Sequence, residues 1–331
     1  MAIPIRRREV IVTLGGTVAW PLAAWAQQPT MPVIGVLSAS VAYPTSNPLL
    51  TAFRQGLSDT GYTVGENVAI EYRWAEEDYD QLPALAADLV QRNVRVIASL
   101  GSTPATIAAK AATTKIPIVF VGGVDPVKLG LVGSLNRPGG NLTGVSFLAS
   151  LLPAKQFELL LELVPKAGII GFLANPNFVD TEAQSTDVRA AAEAYGRRLV
   201  VLKAGNESEI DAVFSTIVTN KIDALLVQSE PLFWDRREQL TTLAAKHGIP
   251  AMYQLREFAL AGGLISYGAN LREPFWIAGV YTGRILKGEK VSDLPVQLPT
   301  KLELVINMKS AQMLGLDVPQ SLITRADEVI E

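Results

Sequence analysis

The stretch RVIASLGSTPATIAAKAATTKIPIVF, residues 95–120, decides how this chain folds. It opens on an apolar run of strand type (95–100). A helix-forming stretch of small apolar residues follows at 104–112, and a second strand-type run occupies 116–121. Strands that are apolar throughout, joined by a helix, predict parallel strands buried on both faces.

The pattern extends upstream. PVIGVLS (32–38) is another buried-type strand, and 49–61 reads as a helix with Leu50, Phe53 and Leu57 on one face and Gly61 as its stop. Residues 68–74 alternate as a strand and 82–92 read as a helix. Downstream the same order recurs: strand 169–174 (IIGFLA), helix 182–195, strand 198–203, helix 207–219, strand 223–228, helix 231–246 and strand 251–253. Gly35 answers Gly171, and Pro117 answers Pro250. This predicts an α/β protein of two Rossmann-like lobes, each a parallel sheet with helices on both faces. Strands at 262–267 and 302–307, with helices at 274–286 and 311–314, are left over, so the chain is expected to cross between lobes more than once. Candidate crossings are 144–146, 266–268 and 295–299, with glycine at the first two allowing hinge torsions. Lobe 1 is then 27–144 plus about 268–296, and lobe 2 is 145–267 plus about 297–331.

The chain has 331 residues, 49% of them hydrophobic and 18% charged, which suits two packed domains. A net charge of −3 gives no footprint for nucleic acid. With no Cys and one His, thiol catalysis, disulfides, zinc fingers and His-rich metal sites are excluded. Arg6-Arg7-Arg8, an apolar run over 10–24 and Ala24-Trp25-Ala26 form an export signal, with cleavage expected after Ala26. The protein is therefore expected in the periplasm, by either the general or the twin-arginine route. An uncleaved anchor is the alternative, against which the shortness of the run argues.

In open parallel sheets, ligands bind beyond the carboxyl ends of the strands. Four such ends carry a capping residue before proline: Thr103-Pro104, Asp125-Pro126, Asn175-Pro176 and Glu230-Pro231. Helix capping explains each singly, but the set differs in charge. Gly101-Ser102-Thr103 leaves a helix N-terminus open to a carboxylate. Ser229-Glu230, the matching place in the second half, offers an acceptor for a cation. A zwitterion such as an amino acid would satisfy both, with Asp125 as a second partner for its ammonium group. Phe147, Phe233, Trp234 and Tyr253 lie near these ends and could hold an apolar side chain; for Phe233 a place in the core competes. Ser102→Ala with Thr103→Ala is expected to weaken binding with little change in melting temperature. His247 suits a helix C-terminus, and Glu76-Glu77-Asp78 reads as a solvated loop. No nucleophile–base pair, metal set or dinucleotide fingerprint is present.

Longer motifs carry a resemblance. AQQP (26–29), PVIGVLS, IEYRWAE (70–76), LPALAADLV (82–90), KAATTKIPIVF (110–120), DPVKLGLVGSLNRPGGNLTGVSFL (125–148), RREQL (236–240), SYG (266–268), YTGRILKGEK (281–290) and LPVQLPTKLELVIN (294–307) resemble one bacterial family over nearly the whole chain. It is the ABC-transporter substrate-binding proteins of the tryptophan/tyrosine type, with the type I periplasmic binding protein fold. The resemblance implies a two-lobed receptor that closes on a small solute and presents it to a membrane permease with its ATPase; no cofactor is expected, and nothing in the sequence demands more than a monomer. It implies ligand-binding polar residues at Ser38, Ser102, Thr103, Asp125, Asn175 and Ser229, with Glu230 where the family often has Asp; the reading of strand ends adds Tyr253. An exported enzyme on this scaffold, or a ligand-sensing subunit of a membrane receptor, is the alternative.

Overall fold

The computed structural model describes residues 31–299 and 301–331; the expected leader, residues 1–26, lies outside them. The first half contains β1 (Val33–Ser38), α1 (Pro48–Asp59), β2 (Ala69–Trp74), α2 (Leu82–Gln91), β3 (Val96–Leu100), α3 (Thr103–Ala112), β4 (Ile118–Gly122) and β5 (Leu142–Ser146). The second begins α4 (Pro153–Leu163), β6 (Ile169–Ala174), α5 (Thr181–Ala194), β7 (Arg198–Lys203), α6 (Glu207–Thr219), β8 (Ala224–Val227), α7 (Pro231–Asp235) and α8 (Arg237–Lys246). It continues β9 (Ala251–Tyr253), α9 (Arg256–Leu260), β10 (Ile265–Ala269), α10 (Arg272–Leu286), β11 (Leu302–Asn307), α11 (Met308–Met313), α12 (Gln320–Arg325) and β12 (Glu328–Ile330).

The strands form two sheets, ordered β2-β1-β3-β4-β5 and β12-β11-β10-β9-β8-β6-β7. The first is wholly parallel. Within the second, β7-β6-β8-β9-β10 repeats the order of the first, also in parallel. The repeated sequence pattern is thus a repeated topology. Gly35 and Gly171 sit alike in the opening strands β1 and β6, each beneath leucine side chains: a Cβ would lie 2.8 Å from Leu89 at the first and 3.0 Å from Leu202 at the second.

One strand departs from the parallel expectation: β11 runs antiparallel to β10. The cause is connectivity. The chain leaves the second sheet after β10, builds α10 against the first sheet, and passes beside β5, where the Gln297 N–H donates to the Gly144 carbonyl (2.9 Å) and Ser146 N–H to that of Gln297 (3.0 Å). It therefore enters β11 travelling opposite to β10. Helix α10 can lie on the first sheet because Gly56 of α1 and Gly279 of α10 let the two backbones touch. A Cβ on Gly279 would lie 2.0 Å from the Phe53 carbonyl oxygen, and one on Gly56 2.1 Å from that of Trp276.

The helix expected over 231–246 is two helices, broken at Arg236, whose φ of −94° and ψ of 19° are not helical. The strand expected over 262–267 starts only at Ile265, since Gly262 is in a turn with φ of +94°. No helix of the described residues is long and apolar enough to cross a membrane.

Candidate functional site

The loops at the carboxyl ends of both sheets meet around one cavity, with about 40 Å³ open to the centre of a water molecule. Thr103 contributes from the α3 end, Ser229 and Glu230 from the β8 end, and Gly101 and Gly123 expose backbone to it. Tyr43, Phe147, Phe178, Trp234 and Phe275 give it aromatic walls.

Glu230 is the N-cap of α7, so the sequence reading of Glu230-Pro231 holds there. Its carboxylate is buried and satisfied on both oxygens. Oε1 accepts the Phe233 N–H (2.6 Å); Oε2 accepts from the Tyr79 hydroxyl (2.7 Å), Asn175 Nδ2 (2.9 Å) and the Leu232 N–H (3.2 Å). Burial pushes the Glu230 carboxyl above the ordinary carboxylate range despite these donors. Among the described residues the group has no positive partner in an ion pair or in its hydrogen bonds, and an ammonium group in the cavity would supply one.

The other three proline pairs depart from the capping expectation. Helix α3 is capped by Ser102, whose Oγ accepts the Ala105 N–H (3.2 Å), while Thr103 is its first residue. Proline has no N–H, so the amide of Thr103, with its hydroxyl, is what this first turn leaves for an anion. Asp125 and Asn175 open turns instead of helices. The Asp125 carboxylate accepts the Val127 and Lys128 N–H groups (2.9 and 3.2 Å), and Asn175 Oδ1 accepts that of Asn177 (2.9 Å). Such side-chain turns compete with helix initiation.

Of the eight residues singled out from the sequence, Thr103, Ser229 and Glu230 come together on the cavity wall. Ser38, Ser102 and Asn175 are buried around them. Ser102 Oγ also accepts the Ala39 N–H (3.3 Å), and the Ser38 hydroxyl donates to the Leu100 carbonyl (3.4 Å), tying the β1 and β3 ends together. Asp125 is not among the residues that line the cavity. Tyr253 is stacked on Phe258 (centroids 4.7 Å apart) and lines a smaller adjoining cavity. Phe147 and Trp234 reach the main cavity, whereas Phe233 is core. Sequence reading missed Tyr43, Phe178, Leu271 and Phe275. The first three follow strand ends, which is the signal that could have found them.

The β1 and β2 loops also bind α7 directly. Asp235 Oδ2 accepts the Val41 N–H (3.0 Å) and Oδ1 the Tyr43 hydroxyl (3.3 Å). Arg236 forks onto Glu77, with Nε donating to Oε1 (2.9 Å) and Nη2 to Oε2 (2.8 Å). The expected solvated loop is therefore wrong for Glu77, whose side chain is only 12% exposed. Glu76 and Glu77 take left-handed backbone (φ of 50° and 69°), held by N–H donation to the Ser40 and Ala39 carbonyls (3.3 and 2.9 Å). Burial, with help from the charge of Glu77, pushes the Asp235 carboxyl up to about 7.

Residues 33–330 match the family model of the ABC transporter substrate binding protein. The chain belongs to that family. A "Tyrosine-binding protein" of Clostridioides difficile is 30% identical over 295 residues, covering 88% of this chain and 84% of that one. A Streptococcus pneumoniae domain solved in complex with L-Trp is 27% identical with a TM-score of 0.79, over 90% of this chain and 99% of that one. A Clostridium difficile substrate-binding protein with adhesive properties, in its ligand-free, open form, is 28% identical over the same shares, with a TM-score of 0.62. The fold is that of type I periplasmic binding proteins, as the sequence resemblance implied.

Proposed function

We propose that this family member is the periplasmic receptor of an ABC importer, that it binds an aromatic amino acid in the cleft between its two lobes, and that it works by hinge closure. The lobes would be those expected from the sequence, joined at 144–146, 266–268 and 295–299. The observation that carries the reading is the pairing, across one aromatic-walled cavity, of Thr103 at the open first turn of α3 with the buried, cation-free carboxylate of Glu230. The first takes a carboxylate, the second an ammonium group, and the rings between them an aromatic side chain.

The relatives support the ligand class, one named for tyrosine and one solved with L-Trp. The higher TM-score against the L-Trp complex than against the open, ligand-free relative, at nearly equal identity, supports an arrangement with the lobes drawn together. The contacts of Asp235 and Arg236 with the β1 and β2 loops would form on closing and pass the occupied state to a permease with its ATPase. The receptor acts as a monomer in this scheme.

The test is a thermal-shift screen of the protein against tyrosine, tryptophan, phenylalanine, sugars and nucleosides. A ligand at 100 times its Kd adds about 2.7 kcal/mol, a rise of a few degrees in Tm. A rise with the aromatic amino acids is expected. A rise with sugars or nucleosides alone would overturn the ligand class and leave the receptor.

A further inference from the structure

Beside the main cavity lies a second, with about 10 Å³ open to the centre of a water molecule, the size of a single water site. The two share Ser229, Glu230, Trp234 and Leu255 as walls. The small cavity is also lined by Gln254, which follows β9 and is 3% exposed. Neither the Oε1 nor the Nε2 of Gln254 has a hydrogen-bond partner. Buried side-chain amides rarely go unpaired at both ends, because nothing then offsets the loss of their hydration.

The side chain is also confined. A Cβ on Gly268 of β10 would lie 2.7 Å from Gln254 Cγ and 2.2 Å from the Gln254 backbone carbonyl oxygen, so the stem that carries the amide is packed beside a position that only glycine fills. A fixed amide with an open acceptor and an open donor is complemented by one group that both donates and accepts. A hydroxyl does so, as does a water; an indole N–H only donates and a phenyl ring does neither.

We propose that Gln254 is a specificity-determining residue that reads a hydroxyl at the tip of an aromatic ligand's side chain, the ring filling the main cavity and the hydroxyl the small one. This rests on the aromatic amino acid reading above. Tyrosine then satisfies both ends of the amide, tryptophan one, and phenylalanine neither.

The experiment is calorimetric titration of the full chain and of Gln254→Met with tyrosine, meta-tyrosine, tryptophan and phenylalanine. Wild type is expected to prefer tyrosine to phenylalanine by about tenfold or more, since a site built around a hydroxyl rejects the analogue lacking it. Meta-tyrosine, with the hydroxyl moved one ring position, should bind like phenylalanine. Gln254→Met should lose the tyrosine preference, keep its phenylalanine affinity, and melt no lower than wild type when ligand-free, since the amide it lacks has no partner to lose. An unchanged tyrosine-to-phenylalanine ratio in the variant, or an equal loss for every ligand, overturns the role of Gln254. Equal binding of tyrosine, meta-tyrosine and phenylalanine by wild type overturns it even if the variant fails to fold. Binding of none of the four by wild type is a different failure, that of the aromatic amino acid reading itself.

Discussion

At the scale of the residue, Glu230 and Thr103 do different work from their neighbours, and substitutions can separate them. Burial raises the Glu230 carboxyl, and an ammonium group set against it would pull it back down. Binding then releases a proton, so affinity should rise with pH from the ordinary carboxylate range up to the raised value, and fall on acidification. Titrating an aromatic amino acid across about pH 4 to 7 checks the sign; affinity that climbs in acid would reject Glu230 as the ammonium partner. Glu230→Gln should flatten that pH profile and cost about 2 kcal/mol or more of binding. Ser102 and Thr103, treated alike in the sequence, part company. Ser102 caps α3 and holds the Ala39 N–H, so Ser102→Ala should cost about 1 kcal/mol of stability. The double substitution is therefore a poor test of the anion seat. Thr103→Val keeps the shape and removes only the hydroxyl: ligand affinity should drop while the ligand-free Tm holds. The reverse pattern would show Thr103 to be structural.

At the scale of the element, α1 and α10 show how the first sheet is closed off beneath the cavity. Their crossing depends on two glycines facing carbonyl oxygens, where a methyl group has no flexible neighbour to displace. Gly279→Ala should cost at least the roughly 1–3 kcal/mol of overpacking, read as a fall in urea midpoint, and should weaken binding through Leu271 and Phe275, which this helix brings to the cavity. An unchanged midpoint would mean the helices separate freely. The elements themselves were legible because doubly covered parallel strands must be apolar throughout, as in 95–100 and 169–174. The direction of β11 was not, since it is set by where the chain re-enters the sheet. The break between α7 and α8 was not either, since Asp235 and Arg236 are ordinary helix residues whose partners, Val41, Tyr43 and Glu77, lie far away in sequence. Thr103, Ser229 and Glu230 could be read from the rule of strand ends. Phe147 and Trp234 followed from the same rule, and Tyr43 and Phe178 carry the same signal; Phe275 could not be read, because an apolar helix side chain facing a cavity looks like one facing the core, and the unpaired amide of Gln254 exists only once its surroundings are folded.

At the scale of the whole molecule, the proposed closure places titratable groups in the seam, and they act against one another. Glu230 favours binding at higher pH, whereas Asp235 favours the drawn-together state at lower pH. Free in solvent, Asp235 would titrate near its ordinary value of 3.8; packed against the β1 loop it holds its proton up to about 7. The packed state thus binds more protons than an open or unfolded one. The stability this proton gives is complete below the ordinary value and is lost as pH rises through about 7. Above that, an ionised Asp235 beside Glu77 sets two half-buried carboxylates together, and Arg236, forked onto Glu77 and paired also with Glu207, must offset both. Asp235→Asn keeps an acceptor for the Val41 N–H and removes the titration. Wild type should therefore lose Tm between about pH 4 and 7 more steeply than Asp235→Asn, and its ligand dissociation should quicken over the same interval while the variant's stays level. Parallel curves for the two proteins would mean that Asp235 does not titrate in the seam, and would leave the ion pair of Arg236 with Glu77 as the contact that holds the lobes.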